Sequence, residues 1–289
     1  MTKKLLLALS LSTLSLQAGE TDIGLTYGFH DMFVSNITPS SLHGGGTSHT
    51  LGVDTSFFVE HRTDSDIVIG GISEIYFDHD KDHLDPDHIP IWFKFNIYAD
   101  GPLIRMTDSF NFMWHLNFQN KQNTTSGIER EIKNMYGLGL DFSPDSFHLA
   151  LNAYAGFFYL EIDDDAPIQY SSEQPAPSVP YDRSDLGLGT SSVSVKLESS
   201  WNMTENFTIL GHVQNWSSTG VGSGWLENEY VAEINYATDG WIKQSKLHLR
   251  ATHTQYNISV FDKPETAVPV LPWDNDTLVR AYMSIAWGL

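Results

Sequence analysis

Apolar and polar residues alternate along most of the chain after Gly19, and apolar residues almost nowhere recur with a helical period. The clearest segment carries apolar residues on one face and polar residues on the other. Its apolar face is Met106, Phe110, Phe112, Trp114, Leu116 and Phe118. A period of two predicts β-strands with one face against an apolar medium.

The same alternation predicts twelve strands. They are 23–34, 49–60, 67–77, 89–99, 106–119, 130–141, 147–162, 185–200, 206–216, 225–237, 245–257 and 277–289. The clearest of them are about as long as the ~9–11 residues with which a tilted strand crosses a bilayer.

The connections between these strands are unequal. Short turns follow the even strands, whereas most odd strands are followed by longer connections. The long ones are 35–48, 78–88, 120–129, 163–184 and 258–276. An even strand count with short turns at one end and long loops at the other predicts an antiparallel transmembrane β-barrel with short periplasmic turns and long extracellular loops. A secreted soluble β-sandwich is the alternative, since its strands also alternate.

The first eighteen residues have the composition of an export signal. Lys3 and Lys4 precede an apolar run from Leu5 to Leu14, and Ala18 is a small residue before a polar stretch. This pattern predicts a signal peptide over 1–18 and a single barrel domain over 19–289.

Charge and cysteine content exclude several classes of protein. The net charge is −20, and removal of 1–18 leaves 14 Lys and Arg against 36 Asp and Glu, a net charge of −22. A chain this acidic repels nucleic acid. Because the chain has no cysteine, it has no disulfide, thiolate metal site or lipid-modified N-terminal cysteine.

The last strand carries a resemblance. Residues Val279 to Leu289 alternate apolar with polar residues, and Trp287 stands two positions before the end. This resembles the terminal targeting strand of bacterial outer-membrane β-barrel proteins, although that pattern usually ends on Phe or Trp rather than Leu. The resemblance implies export to the cell outer membrane, insertion by the barrel-assembly machinery, and contact with outer-membrane lipid and lipopolysaccharide.

The polar faces of the later strands supply candidate pore-lining residues. They are Glu229, Glu233, Lys246, His248, Arg250, Arg280, Tyr282 and His212. Acids on the tenth strand and bases on the eleventh and twelfth are expected to form opposed ladders that set a field across the lumen. Alternatively, these charges pair with one another and fill a narrow lumen.

An acidic, histidine-rich stretch from 78 to 88 is a second candidate site, for a divalent cation. Its candidate ligands are Asp78, Asp80, Asp82, His79, His83 and His88. His83 replaces the turn glycine of a calcium loop, so an EF-hand is excluded. A solvated acidic loop without metal is the alternative, and no other cofactor is expected.

The sequence therefore predicts a porin-like channel for passive or weakly selective diffusion of small hydrophilic solutes. One alternative is a non-conducting barrel with a surface-binding or structural role. The other is an outer-membrane lipid acyl hydrolase, but no His-x-Ser motif of barrel lipases is present, since Gln214 stands two positions after His212. The chain is therefore predicted not to be an enzyme.

Overall fold

The computed structural model describes residues 19–36, 47–79, 91–124, 128–162, 187–220, 224–257 and 273–288, which form a closed antiparallel barrel of twelve strands. The strands are β1 (Gly19–Asn36), β2 (Thr47–Thr63), β3 (Val68–Asp78), β4 (Ile91–Thr107), β5 (Phe110–Gln122), β6 (Ile128–Phe142), β7 (Phe147–Ile162), β8 (Gly187–Asn202), β9 (Phe207–Ser218), β10 (Trp225–Ala237), β11 (Ser245–Tyr256) and β12 (Trp273–Gly288). Each strand pairs with the next, and β12 pairs with β1 to close the ring. The predicted fold class is confirmed.

The predicted signal peptide, 1–18, lies outside these residues, and its cleavage stays a prediction. Within the described ranges, no helix has the length and hydropathy needed to cross a membrane.

Alternation along each strand separates an apolar outer surface from a mostly polar interior. On β7, Leu149, Leu151 and Phe157 are exposed on the outside, whereas Asn152 and Phe158 are buried inside the ring. The outer surface of a barrel in lipid must be apolar, and ring closure pairs the backbone groups that lipid cannot solvate. The exterior of this barrel meets both requirements.

The two ends of the barrel differ. The connections 64–67, 108–109, 143–146, 203–206 and 238–244 lie at one end, which we call the turn end. The connections after the odd strands lie at the opposite end, the loop end, and run through residues outside the described ranges. Placement of the turn end in the periplasm stays a prediction.

One predicted boundary is wrong by eight residues. The sequence predicts a turn at Asp100, Gly101 and Pro102, but β4 continues through them to Thr107, and the turn lies at 108–109. The pairing of β4 with β5 shifts register after Pro102 and again after Arg105. A bulge accommodates a residue without a backbone N–H inside a strand, so this proline does not end β4.

Candidate functional site

The eight candidate pore-lining residues occupy inward-facing strand positions and differ in how deeply their side chains are buried. Arg280 and Glu233 are buried, His212, His248, Arg250, Glu229 and Tyr282 are partly buried, and Lys246 is exposed at the turn end of β11. Whether they line a conducting path stays a prediction.

Arg280 links three strands inside the barrel. From β12 its guanidinium donates hydrogen bonds to Asp54 on β2 and Glu74 on β3. His30 on β1 lies 3.6 Å from Asp54 and 2.8 Å from Asp78. We call these five residues the Arg280 cluster. Because four of the five are buried, loss of one partner leaves a charge that water cannot reach.

Two stacked aromatic rings cover the Arg280 cluster. The rings of Tyr76 and Trp92 lie 3.7 Å apart at an angle of 4°, and both residues are fully buried. Trp92 Nε1 donates a hydrogen bond of 3.2 Å to Asp78, and the guanidinium of Arg280 lies 5.1 Å from the Tyr76 ring centre. The aromatic pair and the ion pairs therefore pack as one unit near the loop end.

A second group of charges crosses the lumen from β6 to β10. Lys133 Nζ lies 2.6 Å from Glu227 Oε1 and 2.7 Å from Glu131 Oε1. Lys121 on β5 lies 3.5 Å from Asp276 on β12, and its ammonium donates to the Tyr256 hydroxyl at 2.9 Å. Lys133 thus reaches β10, and Lys121 reaches β11 and β12, so side chains span the interior between strands that are not neighbours. We call Lys121, Lys133, Glu131, Glu227 and Asp276 the Lys133 cluster.

The acidic and basic side chains that were predicted to face each other across the lumen are placed differently in the structure. Strands β10 and β11 are neighbours, and Glu233 stands directly beside Arg250 in their register, 3.7 Å away. Arg280 stands beside Arg250 on the next strand and turns away to Asp54 and Glu74. The acids and bases that were expected to oppose one another lie side by side on one wall, because a meander places consecutive strands together.

The two histidines of this wall are held by carboxylates. His212 Nε2 lies 2.8 Å from Glu229, and His248 Nδ1 lies 2.8 Å from Glu233. The His248 ring also stacks on Tyr282, with ring centres 4.4 Å apart. His212 faces the interior, so it does not occupy the lipid-facing position that a catalytic histidine has in barrel lipases. The absence of enzymatic activity stays a prediction.

The predicted metal loop is only partly described. Asp78 is buried and bonded to His30 and Trp92, whereas His79, the next residue, is exposed. Asp80, Asp82, His83 and His88 lie outside the described residues. In the part of the chain that the structure describes, no three His, Asp or Glu side chains form a group that could hold a metal ion. The divalent-cation site therefore stays a prediction.

Three polar cavities follow one another from the turn end to the middle of the barrel. The first, of about 740 Å³, opens at the turn end beside Arg62 and Asp108. The second, of about 330 Å³, shares Asp100 and His148 with the first. The third, the central cavity of about 310 Å³, shares Lys196 with the second and reaches the Lys133 cluster. Polar and charged side chains thus line three adjoining spaces in this part of the lumen.

Glycines explain why aromatic residues do not fill these spaces. A Cβ atom on Gly70 would lie 2.4 Å from the Tyr98 ring, and one on Gly137 would lie 2.4 Å from the Tyr154 ring. Each tyrosine stands directly beside its glycine on the adjacent strand. Each ring therefore packs against the glycine of the adjacent strand and stays close to the wall.

Several residues that shape the interior were not among the sequence-predicted sites. Phe158 and Trp216 are buried inside the barrel, although each is apolar. Strand parity alone contained the signal: Phe158 is four residues from Tyr154, and Trp216 is four residues from His212. The sequence-based prediction of the lumen rests on polar and charged residues alone, so it does not include these two aromatic side chains.

No protein-family model and no curated protein matches this chain. Among solved structures, the KdgM porin aligns with 90% of this chain and 98% of its own, at 9% identity and a TM-score of 0.43. The NanC porin aligns over 93% and 99%, at 8% identity and a TM-score of 0.47. OccAB3 of Acinetobacter baumannii aligns over 92% and 99%, at 10% identity and a TM-score of 0.40. These values assign the chain to no family.

Proposed function

We propose that this barrel is an outer-membrane channel for small hydrophilic solutes, with passive or weakly selective diffusion. The observation that carries the proposal is the series of three polar cavities from the turn end to the centre. A twelve-stranded barrel is wider than the eight-stranded barrels that side chains fill, so water-filled space is expected in its lumen.

The proposal includes the route and place of the protein. We infer that the chain is exported, inserted by the barrel-assembly machinery, and surrounded by outer-membrane lipid and lipopolysaccharide. The apolar exterior supports this placement, because such a surface is stable only in lipid or detergent.

Planar-bilayer recording of the refolded protein tests conduction. We expect discrete current steps whose ion selectivity moves towards cations in Arg250→Glu, since Arg250 lines the central cavity. Lys243→Glu is the matched control, because Lys243 is exposed in the turn 238–244 and lies away from the cavities. A silent bilayer, with protein that still shows heat-modifiable migration in gels, contradicts the channel.

The packed side chains near the loop end favour a second candidate function, a barrel that does not conduct and acts in surface binding or membrane structure. Trp92, Phe158 and Trp216 are fully buried there. The same recordings separate the two functions, since only a channel gives current steps.

A further inference from the structure

The Lys133 cluster has unequal numbers of positive and negative groups. It contains two lysines and three carboxylates, and every member is at most 9% exposed. Lys121 is paired with Asp276 and donates a hydrogen bond to Tyr256. Among the lysines of the cluster, Lys133 therefore pairs with both Glu131 and Glu227. One negative charge is left over in an interior where burial of an unpaired charge is costly.

Two carboxylate oxygens of the Lys133 cluster have no hydrogen-bond partner. Glu131 Oε2 and Glu227 Oε2 are both buried and accept no hydrogen bond. Glu131 is 6% exposed and Glu227 is 1% exposed, and both residues line the central cavity. Buried carboxylate oxygens normally have a donor or a cation, so two such oxygens on residues of one cavity indicate a place for a positive group.

Neighbouring bases do not supply that group. In the described chain, Lys133 is the only lysine or arginine within 4.0 Å of either glutamate. Lys94 also lines the cavity, but its ammonium faces the rings of Trp92 and Tyr76, at 5.7 and 5.9 Å. Lys196 is paired with Glu198 at 2.5 Å.

We infer that Glu131 and Glu227 form a binding site for one monovalent cationic group in the central cavity. Either an alkali-metal ion or the ammonium group of an aminated solute supplies the required chemistry. Carboxylate oxygens coordinate an alkali-metal ion and accept hydrogen bonds from an ammonium group. Either one neutralises the excess negative charge. A divalent ion fits less well, because two carboxylates and a nearby lysine do not provide the oxygen-rich shell that calcium requires. The inference does not depend on conduction.

Thermal unfolding in detergent at constant ionic strength and pH tests the site. Choline chloride is replaced stepwise by sodium chloride or by methylammonium chloride, since the quaternary nitrogen of choline has no hydrogen to donate. We expect the unfolding temperature to rise by about 3–5 °C for each tenfold increase in the free cation concentration above the dissociation constant. A response to sodium alone assigns an alkali ion, and a response to methylammonium alone assigns an ammonium group.

Glu227→Gln removes the excess charge and is expected to abolish the cation response, as is Glu131→Gln if the first variant does not fold. Glu198→Gln is the matched control, because Glu198 is also a carboxylate inside the barrel but is paired with Lys196. It should keep the full response. In crystals soaked in rubidium chloride, anomalous density beside the two Oε2 atoms would support an alkali ion directly.

Two results overturn the inference. One is an unfolding temperature that is the same in all three salts. The other is a difference in unfolding temperature between the wild type and Glu227→Gln that changes with pH but with none of the cations. That result would mean that the two carboxylates share a proton instead of binding a cation.

Discussion

The lumen near the loop end and the lumen near the turn end differ in how they are filled. We call them the packed half and the hollow half. The packed half contains buried aromatic rings and the Arg280 and Lys133 clusters, whereas the hollow half contains two of the three cavities. Strand number is the same in both halves, so the strand number alone does not set the width of this lumen.

The direction of the aromatic side chains accounts for the difference. In the hollow half, Tyr98 and Tyr154 lie over glycines of the adjacent strand and remain at the wall. In the packed half, Phe158 stands beside Thr190, and Trp92 stands beside Tyr76. Lys133 stands on the other side of Phe158, so neither ring has a glycine beside it in these pairings, and both rings are fully buried inside the barrel. Small residues on one strand thus determine the space left by large residues on the next.

Arg280→Met is expected to give one of the two largest losses of stability and to act on the packed half. It leaves Asp54 and Glu74 without their counter-charge in a buried setting, and we expect a loss of about 3–5 kcal/mol in unfolding free energy. Urea unfolding followed by tryptophan fluorescence measures the loss.

Arg250→Met is the matched control for this comparison. The Arg250 side chain is one-third exposed and lies 3.7 Å from its nearest carboxylate, so its removal should cost about 1 kcal/mol or less. Equal losses in the two variants would contradict a packed half stabilised by desolvated ion pairs.

Phe158→Ala should weaken the difference between the halves. It removes a fully buried ring from the packed half, with an expected loss of about 3–5 kcal/mol in stability and an increase in single-channel conductance. Tyr154→Ala, on the same strand and face, removes a ring that already lies at the wall, and should change conductance less. If Tyr154→Ala gave the larger increase, the constriction would lie in the hollow half instead.

Gly70→Ala should narrow the hollow half and lower stability by about 1–3 kcal/mol, less than Arg280→Met or Phe158→Ala. In the wild type, the Tyr98 hydroxyl donates a hydrogen bond of 2.7 Å to Glu60. The new methyl group would collide with the Tyr98 ring and force it away from the wall. Conductance is expected to fall.

Gly71→Ala provides a control one residue away. A Cβ there has its nearest neighbour at 3.5 Å, an ordinary contact, so stability should change by no more than about 0.5 kcal/mol and conductance should not change. An equal fall in conductance in both variants would show that the ring over Gly70 does not keep the lumen open.

The alternation of side chains predicted most of the fold because it follows directly from burial on one face of a strand. Strands β7 and β10 have the predicted bounds, 147–162 and 225–237. The end of β4 was missed because Gly101 and Pro102 are typical of a turn, while the register shifts that accommodate them depend on the partner strand.

Partners across the lumen could not be predicted in the same way. Inward orientation of Arg280 and Glu74 follows from parity, but their contact requires β12 to return beside β1 after a full circuit. Likewise, the pairing of Lys133 with Glu227 depends on the width of the closed ring rather than on either local sequence. The charge types of the site were therefore predictable, and their pairing was not.

The pairing of β12 with β1 also bears on the order in which the barrel assembles. The other eleven pairings join strands that are consecutive along the chain and can form as successive hairpins. The pairing of β1 with β12, which we call the seam, joins 22–36 to 273–288. The entropic cost of closing the seam rises only slowly with the length of chain that it encloses. Until the seam closes, β1 and β12 present two long unpaired edges. These two strands are therefore the ones through which unfinished chains would join to each other.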